Sequence, residues 1–215
     1  MPDTFLGYSR PDGRAGIRNY VAVLPNGFVA DQVCRTVPGT RTFVTDWGSG
    51  HTPRDDAAYH RLLAGFGHNP NVAGVVLVNG SAELAHEIAG HGGPEVVALS
   101  ARECGGTFGL VAAATEAARR LVHGASRQRR EPLPAGALTL AVKCGASDTT
   151  SGLAGNPTVG VVFDTLVSQG GAALFGETTE VIGAEHLVAQ RCATPEVADR
   201  LLKAVATDTS GVFWV

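Results

Sequence analysis

The sequence is short of charge, aromatics and sulfur. Charged residues make up 17% and aromatics 6% of the 215 residues, and there is one methionine. Lys plus Arg is 17 and Asp plus Glu is 20, a net charge of −3, so neither nucleic acid nor an anionic membrane has a bulk electrostatic reason to bind. The four cysteines, Cys34, Cys104, Cys144 and Cys192, are scattered and form no C-x-x-C pair. That spacing argues against a zinc knuckle and suits reduced thiols. No basic segment followed by an apolar one opens the chain, so a secretory signal is not expected. Apolar runs such as Val72–Val78 fall far short of the ~20 residues that cross a bilayer. A cytoplasmic protein is expected.

What is plentiful is glycine, 28 residues, together with 44% apolar residues. The apolar fraction is enough for a core, and the glycines have no collagen-like period, so they belong in turns and backbone-lined sites. Short apolar runs alternate with helical stretches. Strands are expected at Tyr20–Leu24, Arg41–Thr45, Val72–Val78 and Glu95–Ser100. Helices are expected near Val29–Val37, Arg54–Phe66, Ser81–Ala89 and Gly109–Val122. The pattern predicts an α/β fold: an open, mostly parallel sheet with flanking helices over residues 1–126. Residues 127–136, rich in arginine and proline, read as a linker. A smaller α/β unit follows over 137–215, with strands at Ala137–Val142 and Ala172–Phe175. Its helices are expected at Thr158–Ser168 and Gly183–Gln190, and a last one opens at Thr194-Pro195.

Three polar segments could carry chemistry. The first, Gly7–Asn19, presents Arg10, Arg14 and Arg18 on a glycine-bent leader. Such arginines suit bidentate capture of carboxylate or phosphate, although spacing alone favours an ordinary solvated leader. The second, Lys143–Pro157, lies between a strand and a helix, where α/β sheets gather ligands. Lys143, Ser147 and Ser151 can donate there, but the P-loop order is absent and a plain connecting loop fits equally. The third, Gly176–His186, sets Glu177, Glu180, Glu185 and His186 after a strand. These groups suit metal ligation or proton transfer, and equally the acidic start of a helix. Glu185 and His186 are adjacent, so on a helix they diverge by about 100°.

Taken together and in order, these segments resemble the altronate/galactarate dehydratase family. GYSRPDGRAGIRNYVAVLP is similar to that family's arginine leader. KCGASDTTSGLAGNPTVGVVFDTLVSQGGAALFGETTEVIGAEHL is similar to its CGGSD, NP, GG and GAEH block. The resemblance runs from Gly7 to about Val205. It implies a hydro-lyase that dehydrates a sugar acid, an aldonate or aldarate, to a 2-keto-3-deoxy acid, or a sulfo-lyase relative. It also implies a divalent metal, iron or manganese. Under it, Arg14, Arg18, Asn19, Lys143, Ser147 and Ser151 bind the substrate acid. Asp148, Glu177 and His186 are catalytic, and Glu177 and His186 hold the metal. A non-catalytic paralogue or regulatory subunit is the competing expectation.

The family usually carries a small β-clip-like domain ahead of the leader, or as a separate subunit, and continues past the segment matching Val205. The chain is therefore expected to be the central region. A homo- or hetero-oligomer is expected, with the apolar end around Phe213 and Trp214 near the interface. Two positions depart from the family pattern: the loop Asp46–Gly50 lacks the usual histidine and cysteine, and Ala82 replaces a cysteine ahead of a retained Glu83.

Overall fold

The structure is a computed structural model. It describes residues 3–25, 27–43, 52–90, 92–145 and 148–211, with side chains through 207. The expected tail contact at Phe213 and Trp214 lies outside the described residues, as does the Asp46–Gly50 loop. The chain divides into two compact units, 1–138 and 139–215.

In chain order the first unit contains β1 (Thr4–Ser9), β2 (Ala15–Gly16), β3 (Tyr20–Leu24), α1 (Phe28–Thr36), β4 (Thr40–Arg41) and α2 (Pro53–Gly67). It continues with β5 (Val72–Val78), α3 (Ala82–Ala89), β6 (Glu95–Leu99), α4 (Thr107–Ser126) and β7 (Glu131–Pro134). The main sheet has the order β4-β3-β5-β6 and every pairing in it is parallel. This is the α/β architecture the alternation predicts. The strand expected at Arg41–Thr45 is shorter, Thr40–Arg41.

Alternating residues of β3 and β5 feed opposite faces of this sheet. Val21, Val23, Val76 and Val78 pack under α1 and α4 with Val33, Leu110 and Ala118. Ala22, Leu24, Val75 and Leu77 pack under α2 and α3 with Leu63 and Ile88. Burial on both faces is why these strands read as continuous apolar runs. Each fully buried Leu or Val contributes about 1.5–3 kcal/mol. The helices start where capping residues put them. Thr52 and Asp55 form a reciprocal capping box at α2, with Pro53 in its first turn. The Ser81 hydroxyl accepts from the Leu84 N–H at α3.

One expectation is corrected. Residues 131–134, read within a linker, form β7, which pairs antiparallel with β1 from Thr4↔Pro134 to Gly7↔Glu131. With β2 this makes a three-stranded sheet ordered β2-β1-β7. An edge strand tolerates Pro132 and Pro134, because the side without a partner needs no donor. The leader is thus a β-hairpin, not a loop, and it lies tightly on the turn after α2. A Cβ at Gly16 would come 2.0 Å from the Pro70 carbonyl oxygen.

The second unit contains β8 (Thr139–Val142), α5 (Asn156–Ser168), β9 (Ala172–Phe175), α6 (Glu185–Ala189) and α7 (Pro195–Gly211). β8 and β9 pair in parallel, from Thr139↔Ala172 to Val142↔Phe175. The Thr194 hydroxyl accepts from the Val197 N–H, the cap expected for α7. The loop expected over Lys143–Pro157 is in part helical: Ser151–Gly155 forms a π-turn that runs into α5. Among the described residues, no helix is long and apolar enough to cross a membrane.

Candidate active site

The leader arginines largely hold the leader itself. Gly13 takes a positive φ of 82° at the hairpin turn. The Asp12 carboxylate accepts from the Arg14 backbone N–H at 3.0 Å and from Arg14 Nε at 2.8 Å. Those bonds, the Arg14 side chain first, hold the Asp12 carboxyl below its ordinary range. Arg14 also donates to the His68 carbonyl at 2.6 Å, yet its side chain remains half-exposed. Arg10 is half-buried. It donates from Nε to the Pro70 carbonyl and from Nη2 to Asn19 Oδ1. Burial draws its pKa below the ordinary guanidinium value, with Asp12 and Tyr8 opposing.

Asn19 donates to the Ala125 carbonyl and to Gln128 Oε1. Its side chain, expected to touch substrate, is therefore engaged within the fold. Arg18 is exposed; its Nη1 donates to the Ile17 carbonyl. Two asparagines escaped the sequence reading. Asn71 Oδ1 accepts from the N–H groups of Ile17 and Arg18. Asn79, at a positive φ of 53°, accepts from the Ala101 N–H and so joins the ends of β5 and β6. The Asn79-Gly80 dipeptide directly after an apolar strand was the available signal.

In the second unit the parallel register brings the carboxyl ends of β8 and β9 side by side, and the Gly176 N–H donates to the Val142 carbonyl at 3.1 Å. Lys143 follows β8 and Glu177 follows β9. Their side chains meet as an ion pair, Nζ to Oε1 at 3.1 Å, with both groups reachable from solvent. Glu177 is held at φ 65°, ψ 75°, the left-handed region that costs a non-glycine residue about 1–2 kcal/mol. Such conformations gather at functional sites.

Asp148 is differently employed. Its Oδ1 accepts from the Thr150 hydroxyl at 2.6 Å and from the N–H of Ser151 at 2.9 Å, with the Ser151 hydroxyl at 3.3 Å. These bonds, Thr150 first, hold its carboxyl below the ordinary value. Asp148 and Ser151 thus stabilise the turn that starts the π-turn and α5. Ser147 lies outside the described residues. Glu180 belongs to the 3-10 turn Thr178–Val181. The Glu185 carboxylate accepts from the Gly183 N–H, just ahead of α6. His186 sits in that short helix and is exposed.

Among the described residues, no three His, Cys, Asp or Glu groups gather so as to hold a metal ion. The described groups of this chain, Glu177 and His186 included, do not by themselves compose a metal centre.

Residues 7–126 match the second domain of D-galactarate dehydratase/altronate hydrolase, and residues 135–211 match the C-terminal domain of D-galactarate/altronate dehydratase. The chain belongs to the D-galactarate/altronate dehydratase family. Relatives in this family include the (2R)-sulfolactate sulfo-lyase subunit beta of Chromohalobacter salexigens. It is 41% identical over 205 residues, covering 92% of this chain and 52% of the relative. The altronate dehydratase of Bacillus subtilis is 26% identical over 216 residues, covering 93% of this chain and 44% of the relative. The galactarate dehydratase of Escherichia coli is 36% identical over 108 residues, covering 50% of this chain and 21% of the relative. The chain thus spans about half the length of the first two relatives. All three names denote lyases, two dehydratases and a sulfo-lyase.

Proposed function

We propose that the chain supplies part of the active site of a lyase that breaks a C–O or C–S bond β to the carboxylate of a small hydroxy acid. The observation that carries this reading is the Lys143–Glu177 pair, with Glu177 held left-handed at the carboxyl ends of two parallel strands. Ligands of open α/β sheets bind at that end. The Glu177 carboxylate takes the α-proton. The electron pair moves into the substrate carboxylate, giving an enediolate whose negative charge faces the Lys143 ammonium. Collapse forms the Cα–Cβ double bond and expels the group on Cβ with its bonding pair. A departing hydroxide takes up a proton and leaves as water; a departing sulfite leaves as the anion. The enol then becomes a 2-keto acid. His186, exposed on α6, is the group assigned to deliver a proton, and Asp148 keeps the turn before α5 in place.

A sugar acid such as altronate or galactarate is the substrate class the family names suggest. The 41% identity to a sulfo-lyase subunit favours sulfite as the leaving group over hydroxide. The deciding assay offers altronate, galactarate and (2R)-sulfolactate, with and without added iron or manganese and with a small partner subunit supplied. Sulfite or 2-keto acid release identifies the reaction. No turnover of any of the three rejects the enzyme reading and leaves the binding or regulatory one.

We also propose that the chain works within an assembly. Among the described residues of the second unit, Leu166 and Val205 are the buried apolar side chains. Leu153, Val161, Leu174, Phe175 and Leu187 are all more than half exposed. A parallel pair with that much apolar surface in water is not self-sufficient. A sedimentation coefficient above that of one chain, at micromolar concentration, is the expected result.

A further inference from the structure

The first unit contains a cavity of about 770 Å³ at the amino-terminal ends of β5 and β6, away from the carboxyl ends of those strands. That volume is in the range of small-molecule sites, about 300–1,000 Å³. Its walls are the Asp12–Arg14 hairpin, the turn from His68 to Pro70, the stretch before Glu95, and the last turns of α4 with Arg120 and His123. We infer that this cavity binds a small hydroxylated oxyanion through Arg14 and Arg120. The inference stands apart from the lyase reading: it uses neither Lys143 nor Glu177, and the walls belong wholly to the first unit.

Among the described residues, one edge of each guanidinium is unused. Arg120 engages Glu95 through Nη1 at 2.6 Å, and Arg14 engages Asp12 and His68 through Nε and Nη2. Arg120 Nη2 and Arg14 Nη1 therefore make no bond to a described residue. Both side chains are at least half-exposed, so neither guanidinium is sealed off from a ligand. A guanidinium with free N–H groups matches a carboxylate or phosphate edge.

The anchoring carboxylates remain acceptors. Asp12 and Glu95 each keep lone pairs that suit ligand hydroxyls. His68 and His123 add further polar edges. Two glycines of the lining are held by their backbone surroundings. Gly92 has a positive φ of 82°, and a Cβ at Gly93 would lie 2.1 Å from the Ile88 carbonyl oxygen. Arginines, carboxylates and exposed backbone together fit a ligand that carries both an anionic group and hydroxyls. A sugar acid and a sugar phosphate share that chemistry.

Calorimetric titration of the full chain tests this, with galactarate, glucose 6-phosphate and inorganic phosphate as probes. Saturable binding of at least one hydroxylated probe is expected. Binding of galactarate alone, or of glucose 6-phosphate alone, supports the inference and identifies the source. Arg120→Gln removes only an exposed ion pair and should weaken binding about tenfold or more. His123→Gln is the second variant, read through the same titration, with a weaker but measurable loss expected. Arg35→Gln, on α1, changes net charge equally and should leave affinity unchanged. No saturable binding below about 10 mM, a Kd too weak to be specific, overturns the inference. So does an equal loss with Arg35→Gln, or saturable binding that Arg120→Gln leaves unchanged.

Discussion

The Asn19 side-chain amide donates to the main-chain carbonyl of Ala125, 106 positions along the chain, at 2.9 Å. The same amide reaches Gln128 Oε1, and its oxygen accepts from Arg10. One asparagine therefore ties the leader hairpin to the end of α4. Asn19→Ala is expected to destabilise the first unit by about 1–3 kcal/mol, because it leaves the half-buried Arg10 short of a partner. Urea unfolding should show a lower midpoint at unchanged slope. Asn19→Asp keeps the acceptor for Arg10 but cannot donate to Ala125, so it should lose most of the same stability.

Thr52→Ala should cost about 1 kcal/mol, since it removes the hydroxyl that accepts from the Asp55 N–H at the start of α2. Thr52→Ser retains that acceptor and should recover most of the loss. Thermal unfolding followed by circular dichroism distinguishes the two.

Asp12 sets an acid limit on the leader. Its folded carboxyl titrates below the ordinary value of 3.8, Arg14 being the main cause. A depressed carboxylate contributes stability that is complete above the unfolded value and disappears as pH falls through the folded one. The hairpin should therefore loosen below about pH 4. Asp12→Asn should lower stability at pH 7 and flatten that acid dependence. A stability difference between parent and variant that does not shrink between pH 6 and pH 3 would contradict this assignment.

Glu177→Gly separates strain from chemistry. Glycine adopts φ 65° without penalty, while the lost partner, Lys143, is an exposed group whose pairing contributes little. The variant is expected to be at least as stable as the parent. In the assembled lyase it should turn over about 10²–10⁴-fold more slowly, the usual loss of a general base. Glu177→Gln should show the same loss of turnover without the gain in stability.

The parts legible in the sequence were those with local signals. Val72–Val78 reads directly as a strand because both its faces are buried, which removes the polar alternation. Ser81 and Thr194 announce their helices because caps are chemical. The pairing of Thr4–Gly7 with Glu131–Pro134 escaped because nothing in either segment points to the other, and two prolines mimic a connector. At the site, residue type was readable and employment was not. Lys143 and Glu177 come together because β8 and β9 are in register. Asn19 and Asp148 carry equally suggestive side chains, but neighbouring backbone groups engage them first. The cavity arginine Arg120 sits in an ordinary helical turn and gains meaning only from Glu95 and the hairpin beside it.

The Thr4↔Pro134 pairing also sets an order of events during synthesis. A ribosome adds about 5–20 residues per second, so the edge of β1 waits roughly 7–25 s before β7 has even been made. The strands of the parallel sheet and α4 are all made in that interval, and only then can β7 join the β1–β2 hairpin. A nascent chain halted before residue 131 would carry the strands of the parallel sheet and an open strand edge, which is the point at which a chaperone that recognises extended segments would find it.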